Sequence, residues 1–385
     1  MPTSVGPNTY GEENLVFGYD LGDVSNSYKG EPTTNLIPNI GTSTANWTEH
    51  GWSGNFVTSS DYPNTFELTA TNGWHNATYN FGISSGGTIY VKFDYKIKSH
   101  QTTQYNMFVL NGTNLGSFTT YIAAGTQAWE WQTFTGSFTA NADTKLAIGI
   151  RGEDSSGLTD VLYIRNLQVE QKSHATPFVN GTRSATQGLI DLTGNSTIDL
   201  TNVSFDSNAQ MTFDGTNDEI SIANIGANLQ NFGITFEMVW KQGSIHTSST
   251  FGEIISPLQL GIRDLGLGPT LYFQLRSSTI ALRWQRAAND SVISPTTSQE
   301  TGVYNLFTGV LTNTGVSLYK NGELVGTTSH SKTFQTWYNN TVEIGTNAYN
   351  TAFDGDIPLT KIYSRALTAS EVASNYKAIK GRFNI

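Results

Sequence analysis

The chain has 385 residues, with 21 Lys and Arg against 31 Asp and Glu, and no cysteine. Only 14% of the residues are charged, against roughly 25% in ordinary globular proteins, and the net charge of −10 argues against a binder that tracks nucleic-acid phosphates, which needs a basic face. Disulfide scaffolds, thiolate zinc sites and cysteine nucleophiles are excluded, and no apolar run approaches the ~18 residues of a membrane span.

What remains is an aromatic, turn-rich chain. Its 8 Trp, 17 Tyr and 20 Phe stand beside 38 Gly and 10 Pro, the composition of an all-β protein rather than a helical bundle. At about 150 residues per domain the length predicts two or three domains, each with its own core. Met1 to Gly6 carries neither the basic nor the apolar region of a secretion signal. Absence of cysteine also fits folding in a reducing cell.

In chain order, Leu15 to Leu21 reads as one strand, followed by a polar, turn-rich stretch from Gly22 to Thr34. Short alternating segments then begin. Thr65 to Ala70, Ala77 to Phe81 and Thr88 to Ile97 are strands, the last placing Ile89, Val91, Phe93, Tyr95 and Ile97 on one face. Further strands are expected at 105–110, 130–139, 144–151 and 161–170, a spacing that fits a two-sheet sandwich. Residues 173–184 form a connector with turn chemistry at Asn180-Gly181. Strands resume at 209–213, 219–223, 233–241, 259–263, 270–276, 279–285, 303–312, 315–320 and 341–345. Asn321-Gly322 is the strongest hairpin signal, because a type I′ turn needs positive φ at both central residues. One helix is expected, from Ala369 to Ile379. Thr368 and Glu371 stand at capping-box spacing, Leu367 and Val372 form a staple, and Lys377 and Lys380 lie near the negative end of the dipole.

Three stretches carry a family resemblance. Phe213-Asp214-Gly215-Thr216-Asn217-Asp218-Glu219-Ile220 resembles the early strand–turn–strand of concanavalin A-like, laminin-G-type jelly rolls. The hairpin around Tyr319-Lys320-Asn321-Gly322 is similar to that family's, as are Phe353 to Ile357 and Ile362 to Glu371 to its last strand and short helix. Residues 35–180 resemble a second jelly roll, that of carbohydrate-binding modules of the family 4/9/22 type, through Asn35 to Asn39, Trp131 to Ala140 and Leu162 to Glu170. Leu15 to Tyr28 looks like the strand and loop that precede an Asp-Leu-Thr-Gly-Asn turn in laminin-G-like phage proteins, yet that turn stands only at Asp191 to Asn195.

The expected fold is therefore all-β: two antiparallel β-sandwich jelly rolls, the first inserted into the second, with one short C-terminal helix. The expected division is an N-terminal arm at 1–14, a discontinuous laminin-G-like jelly roll at 15–34 plus 185–385, and a carbohydrate-binding-module-like jelly roll at 35–180. The alternative for the opening is an independent arm of about 34 residues. The combination resembles structural proteins of tailed phages, including tail-appendage and capsid-decoration proteins. That resemblance implies a place on the virion surface after assembly in the host cytoplasm. Its implied partners are other virion proteins, copies of the same chain and a host-surface glycan, with no nucleic acid and no membrane span.

Enzymes of the concanavalin A-like fold that cleave glucans carry Glu-x-Asp-x-Glu on one strand, whose period of two aims all three carboxylates into the cleft. This chain has no such triplet, so a glycan hydrolase is the third reading, behind a carbohydrate-binding adhesion protein and a purely architectural decoration or tail-connecting protein. Six dispersed histidines, without His-x-His or His-Glu-x-x-His spacing, argue against a transition-metal site. No cofactor is required, although both resembled families use structural calcium, for which Asp214, Asn217 and Asp218, or Asp154 and Asp160, supply hard oxygens. The same carboxylates would equally serve to cap their turns.

For sugar contact, flat rings stack on the C–H faces of pyranoses while Asn, Gln and Asp bond the hydroxyls. Trp47, Trp52, Trp74, Trp129 and Tyr121 fall in expected loops or strand ends, and Trp337, Tyr338 and Tyr349 are the exposed-looking candidates in the second jelly roll. Each could instead serve the core or a protein interface, which enriches the same residues. Trp131, by its place in the resembled pattern, is expected in a sandwich core.

Overall fold

A computed structural model of the chain describes residues 13–51, 54–80, 87–98, 100, 107–111, 118–122, 128–139, 145–152, 157–200, 203–250, 255–261, 269–287, 289–337, 340–345 and 352–385, with backbone alone at 107–111 and 118–122. The strands pair antiparallel throughout the named sheets, as expected of an all-β fold. Two compact units result: Thr33–Arg183, and the residues up to Pro32 together with Ser184–Ile385.

The unit Thr33–Arg183 is a sandwich of two five-stranded sheets. One runs in the order Ala128–Thr139, Thr88–Lys98, Asp160–Glu170, Thr65–Ala70, Gly54–Thr58. The other runs Trp47–Gly51, Gly73–Asn80, Lys145–Gly152, Met107–Asn111, Phe118–Ile122. Strict alternation decides which side of Thr88–Lys98 faces inward: Ile89, Val91, Phe93, Tyr95 and Ile97 are buried, and Tyr90, Lys92, Asp94 and Lys96 look the other way. The inward row meets Leu68, Leu162, Ile164, Ile148 and Ile150 in one apolar cluster, each such side chain contributing about 1.5–3 kcal/mol by burial. The ends of the unit are tied together. Thr33–Thr34 pairs with Thr182–Arg183, and the buried Glu170 carboxylate accepts from Thr33 Oγ1 at 2.7 Å and from Thr176 N at 2.6 Å.

The other unit is also two-layered. Its eight-stranded sheet centres on Asp354–Tyr363, Ile234–Gln242 and Tyr304–Leu311. The early strand Leu15–Asp20 pairs with Asp354–Tyr363, Gly18 opposite Lys361. The Asp191–Asn195 turn docks on that early strand: Gly18 N donates to Asp191 Oδ1 at 3.1 Å, and Leu192 N to Gly18 O at 2.8 Å. The seven-stranded sheet runs from Ile220–Ile222 through Val342–Ile344, Leu258–Leu260, Thr270–Arg276 and Thr279–Ala287 to Asp290–Ile293, with Thr297–Ser298 at the side. Between the layers lies a core that includes Trp240, Phe273, Trp284 and Phe307.

Two local expectations hold in detail. Asn321 and Gly322 adopt φ of 51° and 81°, the left-handed pair that a type I′ hairpin requires. The C-terminal helix begins at Ala369 with Thr368 as N-cap and the reciprocal Glu371 contact in place, and it runs to Phe383, four residues beyond the expected end. The extension follows burial: Ile379 and Phe383 pack with Val239, Leu306 and Leu359. Beneath the helix the buried Glu237 accepts from Asn375 Nδ2 at 2.8 Å and Tyr363 Oη at 3.0 Å. Burial pushes this carboxyl up, while Lys361 and its hydrogen-bond donors pull the other way.

Candidate functional site

The outward face of the sheet containing Thr88–Lys98 gathers an aromatic and charged surface, and strand register explains how. Val57 pairs with Glu67, Glu67 with Tyr163, and Tyr163 with Lys96, forming one row across four strands. A second row joins Thr65, Arg165, Asp94 and Thr133. On the edge strand the register slips between Ala128 and Gln132, a bulge of the kind that re-aims side chains. Trp129 and Trp131, two residues apart and so on one side of the strand, are thereby set beside Lys96.

The rings surround the cations. Lys96 Nζ lies 5.0 Å from the Tyr62 ring centre, 5.5 Å from that of Trp131 and 5.9 Å from that of Trp129. The Arg165 guanidinium stacks on Trp131 at 3.9 Å, closer than the usual outer bound of about 6 Å for cation–π attraction. Tyr62, from the loop before Thr65–Ala70, meets Trp131 and Tyr163 edge-on at 5.5 and 4.9 Å. Tyr163 is sealed beneath it and donates its hydroxyl to Asp61 Oδ2 at 3.0 Å. Burial above all, then the Asp61 hydrogen bond, drives that phenol well above the ordinary tyrosine range. Trp129 remains 55% exposed, the largest exposure among the described large apolar side chains.

The carboxylates of this face are engaged. Asp94 accepts from Thr133 Oγ1 at 3.0 Å, Asn166 Nδ2 at 2.9 Å and Arg165 Nε at 3.4 Å. Glu67 accepts from Ser59 Oγ at 3.1 Å.

The expected aromatic set divides. Trp129 lies on this face. Trp74 lies on the outward side of the other sheet, with the Arg151 guanidinium 4.7 Å over its ring. Trp47 stands at a strand end, as expected, and is half-buried: its ring packs against the edge of the core, with ring centres 5.1 Å from Phe56, 5.5 Å from Phe66 and 5.3 Å from Tyr79. Trp337 is buried, its indole N–H donating to Leu229 O at 2.7 Å, so its ring offers no stacking face. Trp131 moves in the opposite sense, from expected core to the outward face, because its parity is that of Thr133 and opposite to buried Phe134. Trp52, Tyr338, Tyr349 and Asp154 lie outside the described residues, as does the Tyr121 side chain.

At the expected calcium position Asp214 Oδ1 accepts from Thr216 N at 2.7 Å and Asp218 Oδ2 from Asp214 N at 2.8 Å, so both carboxylates serve to cap their own turn. Asp160 is buried and holds His100 Nδ1 at 2.8 Å. Among the described residues no three His, Asp or Glu side chains converge as a metal site would require.

A polar row also crosses the seven-stranded sheet of the other unit. Glu343 pairs with Ser221 and Gln259, Gln259 with Tyr272, and Tyr272 with Arg283. Burial, with the charge of Glu219 adding to it, pushes the Glu343 carboxyl up to about 7, and Gln259 Nε2, donating to Oε2, opposes the shift.

This second unit is the part of the chain with a family signature. Residues 213–373 match the family model of the concanavalin A-like lectin/glucanases superfamily. The match runs from the strand Met211–Asp214 to the first turn of the C-terminal helix, and the aromatic face in Thr33–Arg183 lies outside it. No curated protein matches the sequence. Among solved structures, the fold is similar to the botulinum neurotoxin serotype D binding domain at 16% identity over 51% of this chain and 49% of that one, with a TM-score of 0.40. It is similar to the botulinum neurotoxin type G receptor binding domain at 15% identity over 49% and 48%, with a TM-score of 0.38. Domain 4 of an extracellular arabinanase from Geobacillus stearothermophilus, in complex with arabinotriose, aligns at 16% identity over 50% of this chain and 93% of that one, with a TM-score of 0.39. The alignment spans about half the length of the neurotoxin domains. Among the described residues no helix is long and apolar enough to cross a membrane.

Proposed function

We propose that this protein is a non-catalytic carbohydrate-recognition protein whose ligand lies on the outward aromatic face of Thr33–Arg183. The observation that carries the reading is Trp129, more than half exposed beside Trp131 and Tyr62. An exposed indole is costly in water unless it meets an apolar surface, and the C–H face of a sugar ring is such a surface. Lys96 and Arg165, beside these rings, carry N–H donors suited to ligand oxygens. Sequence resemblance to tailed-phage structural proteins supports a place on the virion surface, where such a face would serve host adhesion. Partners there would be other virion proteins and further copies of the chain.

A glycan array probed with the full chain tests the reading. Binding to a defined glycan set is expected, and Trp129→Ala should abolish it while thermal unfolding is unchanged. A blank array, or a signal indifferent to Trp129→Ala, refutes it. Burial of Trp129 in a contact between copies or with another virion protein, together with a blank array, would establish the architectural role in its place.

A further inference from the structure

Resting on that reading, we infer that the glycan recognised by this face is acidic, a sugar chain bearing carboxylate groups. The argument starts from which polar atoms are already satisfied. An ammonium has three N–H donors and no acceptor. Among the described residues Lys96 Nζ has one hydrogen-bond partner, Tyr62 Oη at a long 3.5 Å, and no carboxylate within ion-pair distance. The rings of Tyr62, Trp129 and Trp131 attract its charge without neutralising it. Arg165 is similar: only Nε reaches Asp94, at 3.4 Å, and the terminal nitrogens have no acceptor among the described residues.

This is not for want of acids in a chain of net charge −10. Lys241 pairs with Asp356, Lys320 with Glu300, Arg365 with Glu371 and Arg382 with Asp20. On the aromatic face the acids are spent elsewhere. Asp94 holds Thr133 and Asn166, Asp61 holds Tyr163, and Glu67 holds Ser59. The unfilled capacity is therefore donor-only and cationic, with both cations close to the Trp131 ring. A neutral sugar would stack on the rings and leave both cations unanswered. A uronic-acid residue brings a C–H face for the ring and a carboxylate for Lys96 or Arg165 in the same unit, and an ion pair flanked by rings is stronger than one in open water.

The test compares oligomers of galacturonate, glucuronate and mannuronate with their methyl esters, which keep the sugar and remove the charge. Titration calorimetry on the full chain at 50 mM salt is expected to show one of the acids at least tenfold tighter than its ester. That preference should shrink at 500 mM salt. Lys96→Gln and Arg165→Gln should each bring the acid down toward its ester, with the melting temperature of both variants recorded alongside. Equal binding of acid and ester, or binding of neutral glycans alone, overturns the inference and leaves carbohydrate recognition standing. Binding of sulfated but not carboxylated oligomers overturns it as well. If neither acids, esters nor a neutral array bind, carbohydrate recognition itself fails, and the inference with it.

Discussion

Glu343→Gln gives the sharpest physical test of the structure. In the unfolded chain this carboxyl titrates near its ordinary 4.5, and in the folded protein burial and the neighbouring Glu219 move it to about 7. A folded-state value above the unfolded one means that the native state holds the proton more tightly. Stability is therefore highest where both states are protonated, and it declines as pH rises. Each pH unit between the two titrations is worth about 1.4 kcal/mol, so this group destabilises the unit containing Ser184–Ile385 by roughly 3 kcal/mol between pH 4.5 and pH 7.5. Gln keeps the shape and an acceptor for Gln259 but removes the charge. The variant should gain roughly 3 kcal/mol on the wild type across that window and match it most closely at the acid end. Asp218, Glu219 and Glu237 are also raised by burial. Asp218 and Glu237 give both proteins a shared slope that cancels in the comparison, whereas Glu219, which faces Glu343, also loses a like-charged neighbour in the variant. Urea titration with pulse-labelled amide exchange, read on peptides spanning Leu258–Leu260 and Val342–Ile344, separates this unit from the other. If the difference between variant and wild type does not change with pH, the burial assigned to Glu343 is wrong.

Further outcomes are expected elsewhere. Trp47→Ala removes a half-buried ring packed on Phe56, Phe66 and Tyr79 and should cost about 1–3 kcal/mol in urea unfolding of Thr33–Arg183; a change within about 0.5 kcal/mol, the range of surface substitutions, would show that the ring does not pack there. Glu371→Gln weakens the capping box and the Arg365 contact and should cost about 1 kcal/mol at neutral pH. Because hydrogen bonds, first from Arg365 and then from Thr368, hold the Glu371 carboxyl down to about 2, that contribution is complete above its ordinary 4.5 and fades as pH falls toward 2. A melting-temperature difference that persists undiminished at pH 2 would contradict the assignment. Finally, Thr33–Thr34 and Thr182–Arg183 pair as adjacent strands, so the ends of that unit lie about 5 Å apart. Joining Pro32 to Ser184 through a short Gly-Ser link should leave a chain that folds cooperatively by calorimetry; an aggregated or unfolded product would count against insertion of one unit into the other.

Much of the fold is legible because its signals are local. Alternation in Thr88–Lys98, the Asn321-Gly322 turn and the Thr368–Glu371 box each declare themselves within a dozen residues. The aromatic face does not, since its members come from Tyr62, Lys96, Trp131 and Arg165, which only strand register brings together. One clue was nonetheless present in the segment 129–138. Phe134 and Phe138 share one parity, Trp129, Trp131 and Thr133 the other, and only one of those sets can face a core. Reading Trp131 as core sets its ring with the Phe134 row, against the alternation that holds along the strand beyond the register slip at Ala128–Gln132. The opposite misplacement, Trp337 as a surface ring, has a different cause. Its ring packs on Phe334 three residues before it, but its indole N–H is held by Leu229, 108 residues away. A large aromatic in a polar stretch is therefore poor grounds for a surface site. A large aromatic whose pleat parity opposes an established core row is much better grounds, and by that criterion Trp129 and Trp131 stand out.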